Sequence, residues 1–500
     1  MFTSLHEQSR ATWIRRGLLA SVLVMLAAVQ VRCSGGGDGG TAPPSPTNTT
    51  PASSTAGAQA IARENAQSGT SEWRLNNPAG SGQLAAYSDR ESYPAGSDVR
   101  IAVSANPAGP VSWKVFRMGG YRGLGGRLYT QGGPVTAPTQ PAPTYQSGTG
   151  LVVANWPATF SIATRQNDGT PWLTGVYLVL IADQNGRQTY ATFILRDDTR
   201  HAEVAVHLGT ATWHAYNDFG GESLYVSATG LGHARKVSMD RPITLGFGSG
   251  KFLPDQHEGV IWLENEGYDV EYFATSDVGG ATNRLGSHRL YLSIGHDEYT
   301  TMATLDRLEA LVAGGTSLAF LTGNTMVYQI RYEDNERTIV GYKADLAGED
   351  PMRLITPRLT STRFRDPIVN RPENAVVGVM SDESHNEQPA DWIVANANHW
   401  VYANTGLANG SVLPDLVFYE WDSLVDNGAT PPGITVLASS VVPNSVRPGS
   451  RHEATIYERD RAFVFAAGTI RFTEFLRRQA PVAQMMRNLL TRGGASAYRP

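Results

Sequence analysis

The feature that most limits the fold is a series of unbroken apolar strands that alternates with helical segments after residue 198. Three of these strands read AEVAVHLG, RLYLSIG and SLAFLTG, and the segment TTMATLDRLEALVAGG between the last two has helical periodicity. Thr300 or Thr301 is expected to cap that helix, and Gly314 to end it. Strands that are apolar on both faces are typical of a parallel sheet covered by helices on both sides. Residues 199–500 are therefore predicted to form an α/β domain.

The preceding region, residues 72–198, has a different pattern. Five short strands, DVRIAVSA, VSWKVFRM, TFSIAT, GVYLVLIAD and TYATFILRD, are separated by Gly, Pro and Asn. Strands of this length and spacing favour a β-sandwich of immunoglobulin-like size. The predicted architecture is an immunoglobulin-like β-sandwich over 72–198, followed by a parallel-sheet α/β domain of flavodoxin-like or amidotransferase-like type over 199–500.

The N-terminus resembles an export signal. An arginine-containing lead precedes the apolar run GLLASVLVMLAAV, which is too short to span a bilayer comfortably. Cys33 begins the stretch CSGGGDGG, which is like the mature start of a bacterial lipoprotein, although Arg32 stands where a small residue is usual. Residues 1–33 are therefore predicted to export the chain to the periplasm, the cell envelope or the exterior. Lipid attachment at Cys33 and an uncleaved membrane anchor are both open alternatives.

Residues 34–71 consist mostly of Gly, Ser, Thr, Pro and Ala, and are expected to form a flexible linker before ordered structure begins near Trp73. The formal net charge of -5 gives no indication of binding to nucleic acid or to an anionic membrane surface. Because Cys33 is the only cysteine, the folded domains can contain neither an internal disulfide nor a thiolate nucleophile. Any catalytic site must use oxygen and nitrogen groups. Homo-oligomer formation stays open.

Polar side chains follow three of the predicted α/β strands. Tyr216 follows the first strand, His296 and Glu298 follow the second, and Asn324 follows the third. Because the carboxyl ends of parallel strands meet at one edge of a sheet, these side chains are expected to share one rim. Oxygen donors without thiolates suit Mg²⁺, Ca²⁺, Mn²⁺ or ferric iron. The same residues also have ordinary explanations, since acidic groups favour the start of a following helix and a buried tyrosine needs only one hydroxyl partner.

Several blocks carry a family likeness. G-H-x-E-Y, F-x-x-G-N and A-Y-N-x-x-G-G, together with RPITLGFGSG and YEWDS, resemble the catalytic large (beta) subunit of N,N-dimethylformamidase and its C-terminal domain family. The likeness runs from roughly residue 121 to the C-terminus. In that family a mononuclear iron is held by two tyrosines and one glutamate. The resemblance implies Glu298 and Tyr216 as iron ligands, and Tyr177 as the third ligand by approximate spacing alone.

The same resemblance implies an activity. A protein of this family hydrolyses a C–N bond of a small amide or formamide, and Fe³⁺ activates the attacking water. His296, Asn324 and Glu420 of FYEWD are implied as the catalytic groups around the iron. Thr300 departs from the family, whose members often have tryptophan at that position, and the export segment is unlike a cytoplasmic amidase.

Other classes of protein are alternatives. The main one is an exported binding or structural protein of the cell envelope with a non-catalytic α/β domain. A glutaminase of the amidotransferase type would need a cysteine nucleophile after a strand, and none follows Cys33. A serine esterase would need a complete G-x-S-x-G turn, which GFGSGKF around Ser249 lacks. The iron content of the purified protein separates the hydrolase from the binding protein.

Overall fold

The computed structural model describes residues 53–386 and 388–499. The predicted export segment 1–33 and the first part of the predicted linker lie outside these residues. Within the described ranges, no helix has the length and apolar character needed to cross a membrane.

Two sheets pack face to face in the N-terminal part of the described chain. The elements there are α1 (Ser53–Asn65), β1 (Leu84–Ser88), β2 (Ser92–Pro94), β3 (Asp98–Ala105), β4 (Gly109–Met118), β5 (Gly126–Ala137), β6 (Thr144–Gln146), β7 (Leu151–Val153), β8 (Phe160–Ala163), β9 (Gly175–Asp183) and β10 (Gln188–Arg196). One sheet has the order β1-β3-β8 and the other β2-β10-β9-β4-β5. Val103 of the first and Val179 of the second belong to one buried apolar core. All five predicted strands are confirmed, and the immunoglobulin-like assignment stays a prediction.

Ordered structure begins earlier than the predicted Trp73. Helix α1 lies inside the segment that the composition assigns to a linker. Its Ile61 is fully buried and its Ala58 nearly so. The Asn65 side chain at its end donates to Glu264 Oε2 at 2.8 Å. This segment, rich in Ser, Ala and Gly, lacks a clear apolar helical periodicity. Its helix is therefore stabilised mainly by the surface that it packs against.

The remaining chain contains a larger sheet with helices around it. Its elements are β11 (Val204–His207), α2 (Thr210–Tyr216), β12 (Lys236–Ser238), α3 (His257–Asn265), β13 (Val270–Phe273), α4 (Thr275–Gly279), β14 (Leu290–His296), β15 (Tyr299–Thr301), α5 (Met302–Ala313), β16 (Ser317–Gly323), β17 (Tyr328–Glu333), β18 (Thr338–Val340), α6 (Lys343–Leu346), α7 (Met352–Ile355), α8 (Asn374–Val377), β19 (Met380–His385), β20 (Ala390–Ile393), β21 (Val412–Val417), β22 (Glu420–Ser423), β23 (Thr435–Val441), β24 (Arg451–Arg459), β25 (Ala462–Ala466) and α9 (Ala480–Arg492). The main sheet has seven strands in the order β13-β11-β14-β16-β25-β24-β23.

This main sheet is mixed, whereas the sequence predicted a parallel one. Strands β13, β11, β14, β16 and β25 are parallel to one another. Strands β24 and β23 continue the sheet in antiparallel pairing. A two-residue turn at Asp460 and Arg461 joins β24 to β25, and so short a connection can only produce antiparallel neighbours. The fold is therefore mixed α/β, with its parallel part at β11, β14 and β16 where the polar residues were predicted to meet.

Helix α5 confirms the predicted cap. It begins at Met302, and the Thr301 side chain accepts a hydrogen bond from the N–H of Thr304. Gly314 follows its last turn. This fixed start holds the loop between β14 and α5 in place.

One buried ion pair joins the two-sheet region to the α/β region. Both guanidinium NH₂ groups of Arg117 on β4 donate to the carboxylate of Glu264 on α3, each at 2.8 Å. Neither side chain is exposed to solvent. Arg117 also donates to the hydroxyl of Tyr121 and the carbonyl of Thr174, and Tyr272 donates to Glu264. Burial lowers the pKa of Arg117, but the charge of Glu264 outweighs it and raises that pKa above its usual value.

Candidate metal centre

The loop after β14 is fixed from two sides. Gly295 has a φ of 82°, and a Cβ on it would lie 2.7 Å from Cγ of Gln256, so only glycine fits without strain. The N–H of Glu298 donates to Thr212 Oγ1 at 3.0 Å. The N–H of Tyr328 donates to the carbonyl oxygen of Glu298 at 3.0 Å. The backbone on either side therefore sets the direction of the Glu298 side chain.

Two phenols donate to the Glu298 carboxylate. The Tyr216 hydroxyl lies 3.0 Å from Oε2. The Tyr225 hydroxyl lies 2.7 Å from Oε1 and 2.6 Å from Oε2. A third phenol, Tyr299, donates to the Tyr225 hydroxyl at 2.8 Å. The structure thus brings together Tyr216 and Glu298, which the sequence placed at one rim, and adds Tyr225 to them.

Tyr225 reaches the carboxylate because the chain reverses after α2. Gly220 and Gly221 have φ values of 77° and 84°, which other residues rarely adopt. The N–H of Leu224 then donates to a carbonyl of α2 at 2.9 Å. The rings of Tyr216 and Tyr225 stack with centroids 4.1 Å apart. The sequence interpretation missed Tyr225, and the signal that points to it is the Gly-Gly pair that folds the chain back along α2.

Tyr177, predicted as the third ligand, lies elsewhere. It is a fully buried member of the core between the two N-terminal sheets. Its hydroxyl donates to the carbonyl of Leu173 at 2.5 Å, and its ring stacks on Phe193. The structure therefore does not bring Tyr177 together with Tyr216 and Glu298. The approximate sequence spacing between Tyr177 and Tyr216 did not predict their positions, because the two residues belong to different sheet regions of the fold.

The three predicted catalytic groups, His296, Asn324 and Glu420, lie next to Glu298 and to one another. His296 Nε2 is 2.9 Å from Glu420 Oε2 and 3.6 Å from Glu298 Oε2. Asn324 Nδ2 donates to Glu420 Oε2 at 3.2 Å. Glu420 is the first residue of β22, and this strand passes so close to Gly323 that a Cβ there would lie 2.5 Å from the Glu420 carbonyl oxygen. Glu420, His296, Asn324 and Glu298 therefore form one continuous cluster.

The electrostatics of the cluster follow from burial and crowding. Burial, together with the Glu298 charge, raises the pKa values of Tyr216 and Tyr225 well above the usual value, so both phenols hold their protons here. Burial and the Glu420 charge also raise the pKa of Glu298. Burial would raise the pKa of Glu420 as well, but the attraction of the neighbouring His296 outweighs it and lowers that pKa. Lys343 and Lys251 act in the opposite direction to burial, since their charges lower the pKa values of Glu298 and Glu420, respectively.

The donor atoms suit a hard metal ion. Within residues 53–386 and 388–499, no group of three or more His, Cys, Asp and Glu side chains is placed to hold a metal, so a metal here needs the phenol oxygens. Neighbouring ligands of an octahedral ion with bonds of 2.0–2.1 Å stand roughly 2.9 Å apart. The oxygens of Tyr216 and Tyr225 lie 2.6 to 3.0 Å from those of Glu298. His296 Nδ1 is buried without a hydrogen-bond partner, whereas His296 Nε2 lies 2.9 Å from Glu420 Oε2. The residues present therefore fit a metal ion.

A family model matches the part of the chain that contains this cluster. The model of the family described as N,N-dimethylformamidase beta subunit-like, C-terminal, matches residues 112–485. The match covers more than half of the chain and includes Tyr216, Tyr225, Glu298 and Glu420. A search of curated proteins finds no match. The chain belongs to the N,N-dimethylformamidase beta subunit-like, C-terminal family.

Proposed function

We propose that the protein is an iron-dependent hydrolase that cleaves the C–N bond of a small amide or formamide. The observation that carries the proposal is the convergence of two phenols, from Tyr216 and Tyr225, on the single buried carboxylate of Glu298. Membership of the family, which is consistent with an amide hydrolase in general, supports the same reaction class.

Tyr216, Tyr225 and Glu298 would hold the metal. Phenolate and carboxylate oxygens are hard anionic donors, and they favour Fe³⁺ over softer ions. Three such donors would balance the charge of a ferric ion. Bound there, the ion would polarise an amide carbonyl and lower the pKa of a water molecule.

The remaining groups would handle protons and the developing charge. Glu420 Oε2 takes the proton from the attacking water and returns it to the leaving nitrogen, which would otherwise depart as an unstable anion. His296 Nε2, 2.9 Å away, orients Glu420 and favours its ionised form. Asn324 donates one amide N–H to Glu420 and has a second N–H for the oxyanion. Such a donor contributes about 3–4 kcal/mol in well-formed sites.

Elemental analysis of protein purified without chelators tests the proposal directly. We expect near-stoichiometric iron and a visible phenolate-to-iron absorption. Protein that carries no metal and gains none from added Fe³⁺ would refute the hydrolase and favour the exported binding protein.

Tyr225→Phe is expected to bind iron more weakly, to lose colour, and to lose activity by at least about 10- to 100-fold, because one donor oxygen is removed. Tyr177→Phe is the matched control, since its hydroxyl contacts only a backbone carbonyl in the sheet core among the contacts described above. Iron content, the visible spectrum and amide hydrolysis are measured on both variants. Equal colour in Tyr225→Phe and wild type would exclude Tyr225 as a ligand.

Gly323→Ala is expected to displace β22 and lower activity by about 100-fold, because a shift of about 1 Å at a catalytic group has that effect. Iron content should stay unchanged, since the three atoms nearest to a Cβ at Gly323 belong to Glu420, Ile470 and Thr469 and not to the phenols. Gly348→Ala is the control, because no atom lies within 4 Å of a Cβ placed there. Full activity in Gly323→Ala would show that the position of Glu420 does not limit the reaction.

We also propose that residues 1–33 export the chain. The support is the apolar run followed by small residues and Cys33. Mass spectrometry of the mature protein from cell-envelope and periplasmic fractions tests this. An N-terminus at or near Cys33 is expected, and recovery of the full-length chain from the cytoplasm would contradict it.

A further inference from the structure

An ammonium group lies against the ring of each phenol that reaches Glu298. Lys343 Nζ is 3.7 Å from the ring centroid of Tyr225. Lys251 Nζ is 4.6 Å from the ring centroid of Tyr216. Lys343 is the first residue of α6, whereas Lys251 lies between β12 and α3, so the same arrangement is built twice from separate parts of the chain.

Lys343 is held in this position by its backbone and its neighbours. Its φ is 60°, a left-handed conformation that is unfavourable for a lysine. Its ammonium also donates to the carbonyl of Leu224 at 3.2 Å, and lies 5.2 Å from the ring of Tyr328. Strained backbone of this kind persists where surrounding contacts require it, and it is concentrated at functional sites.

A cation on the face of an aromatic ring attracts the electrons of that ring. The attraction is stronger in a partly buried site than in water, because the effective dielectric constant is lower. Electron density drawn toward Lys343 is less available to the phenol oxygen of Tyr225. An oxygen that donates less leaves a bound metal ion more electron-poor, and a more electron-poor ion polarises a carbonyl more strongly.

We propose that Lys343 and Lys251 are positioning residues that fix the two phenol rings and reduce electron donation from their oxygens to the metal. This inference rests on the proposed function. Lys343 should have the larger effect, because it lies closer to its ring.

The test compares iron-loaded Lys343→Met, Lys343→Arg and Lys251→Met with the wild type. In Lys343→Met the phenolate-to-iron absorption should move to longer wavelength, because a more electron-rich phenolate transfers charge more easily. kcat should fall by about 10- to 100-fold, as for other residues that support a metal ligand, with KM little changed. Lys343→Arg keeps the positive charge, so its absorption wavelength and its kcat should be close to those of the wild type. Lys251→Met should show a smaller shift in the same direction.

Lys236→Met is the control, since the Lys236 ammonium pairs with Glu333, whereas the cations over Tyr216 and Tyr225 are those of Lys251 and Lys343. An unshifted absorption in Lys343→Met, with a raised KM, would overturn the inference and make Lys343 a substrate contact instead. A coloured wild type with unshifted variants rejects this inference alone. A wild type that binds iron without colour rejects phenolate ligation itself, and the inference with it.

Discussion

Glu298→Gln is expected to lose bound iron and to lose amide hydrolysis by more than about 100-fold. Glutamine has the same shape and still accepts a hydrogen bond from Tyr216 or Tyr225, so the fold should be preserved. It lacks the negative charge, however, and a neutral amide oxygen is a poor ligand for a hard trivalent ion. Replacing a residue that only supports a metal ligand typically lowers metal affinity or activity by about 10- to 100-fold. Replacing the ligand itself should lower both by about as much or more.

Glu420→Gln is the matched comparison. Glu420 contacts His296 and Asn324, and neither phenol donates to it in the bonds described above. This variant should keep its iron and colour, and lose about 10²- to 10⁴-fold in rate because the proton-transfer group is gone. The pair therefore separates metal binding from proton transfer. Full iron occupancy in Glu298→Gln would remove Glu298 from the ligand set.

Arg117→Met is expected to destabilise the protein by about 3–5 kcal/mol. The substitution leaves the Glu264 carboxylate buried without its bidentate cation, and an unpaired buried charge is costly. It also removes the hydrogen bonds to Tyr121 and to the Thr174 carbonyl. Urea unfolding followed by circular dichroism measures the loss of unfolding free energy.

A second variant distinguishes charge from packing. In Arg117→Met with Glu264→Met, neither charge is left buried, and apolar replacement of a buried ion pair is often neutral or stabilising. The double variant should therefore recover most of the lost stability. A loss of less than about 1 kcal/mol in Arg117→Met alone would mean that water reaches the carboxylate and hydrates it.

The sequence predicted the part of the site that depends on strand ends. Unbroken apolar strands placed β11, β14 and β16 side by side, so Tyr216, Glu298 and Asn324 were expected at one edge. Thr301 was among the expected caps because a threonine just before an apolar helical stripe can accept a hydrogen bond from an N–H only three residues along the chain. Such features depend on residues close together in the chain.

The features that were missed depend on contacts between distant segments. Tyr225 enters the site only because two glycines reverse the chain, and Tyr177 was chosen on spacing that ignores the sheet around it. Helix α1 has a linker-like composition, and its order comes from packing against the rest of the fold. Lys343 reaches Tyr225 from the start of α6, and no pattern near Tyr225 in the sequence indicates this contact.

The proposed acid–base carboxylate and the proposed metal ligands come from separate stretches of the chain. Tyr216, Tyr225 and Glu298 all precede β16, whereas Glu420 arrives on β22 from the long excursion between β16 and β25. Descendants of one ancestor could therefore exchange the segment between β16 and β25, and with it the proposed acid–base group, while keeping the proposed metal ligands. Because the two groups come from separate segments, relatives could share the same metal ligands and catalyse different reactions.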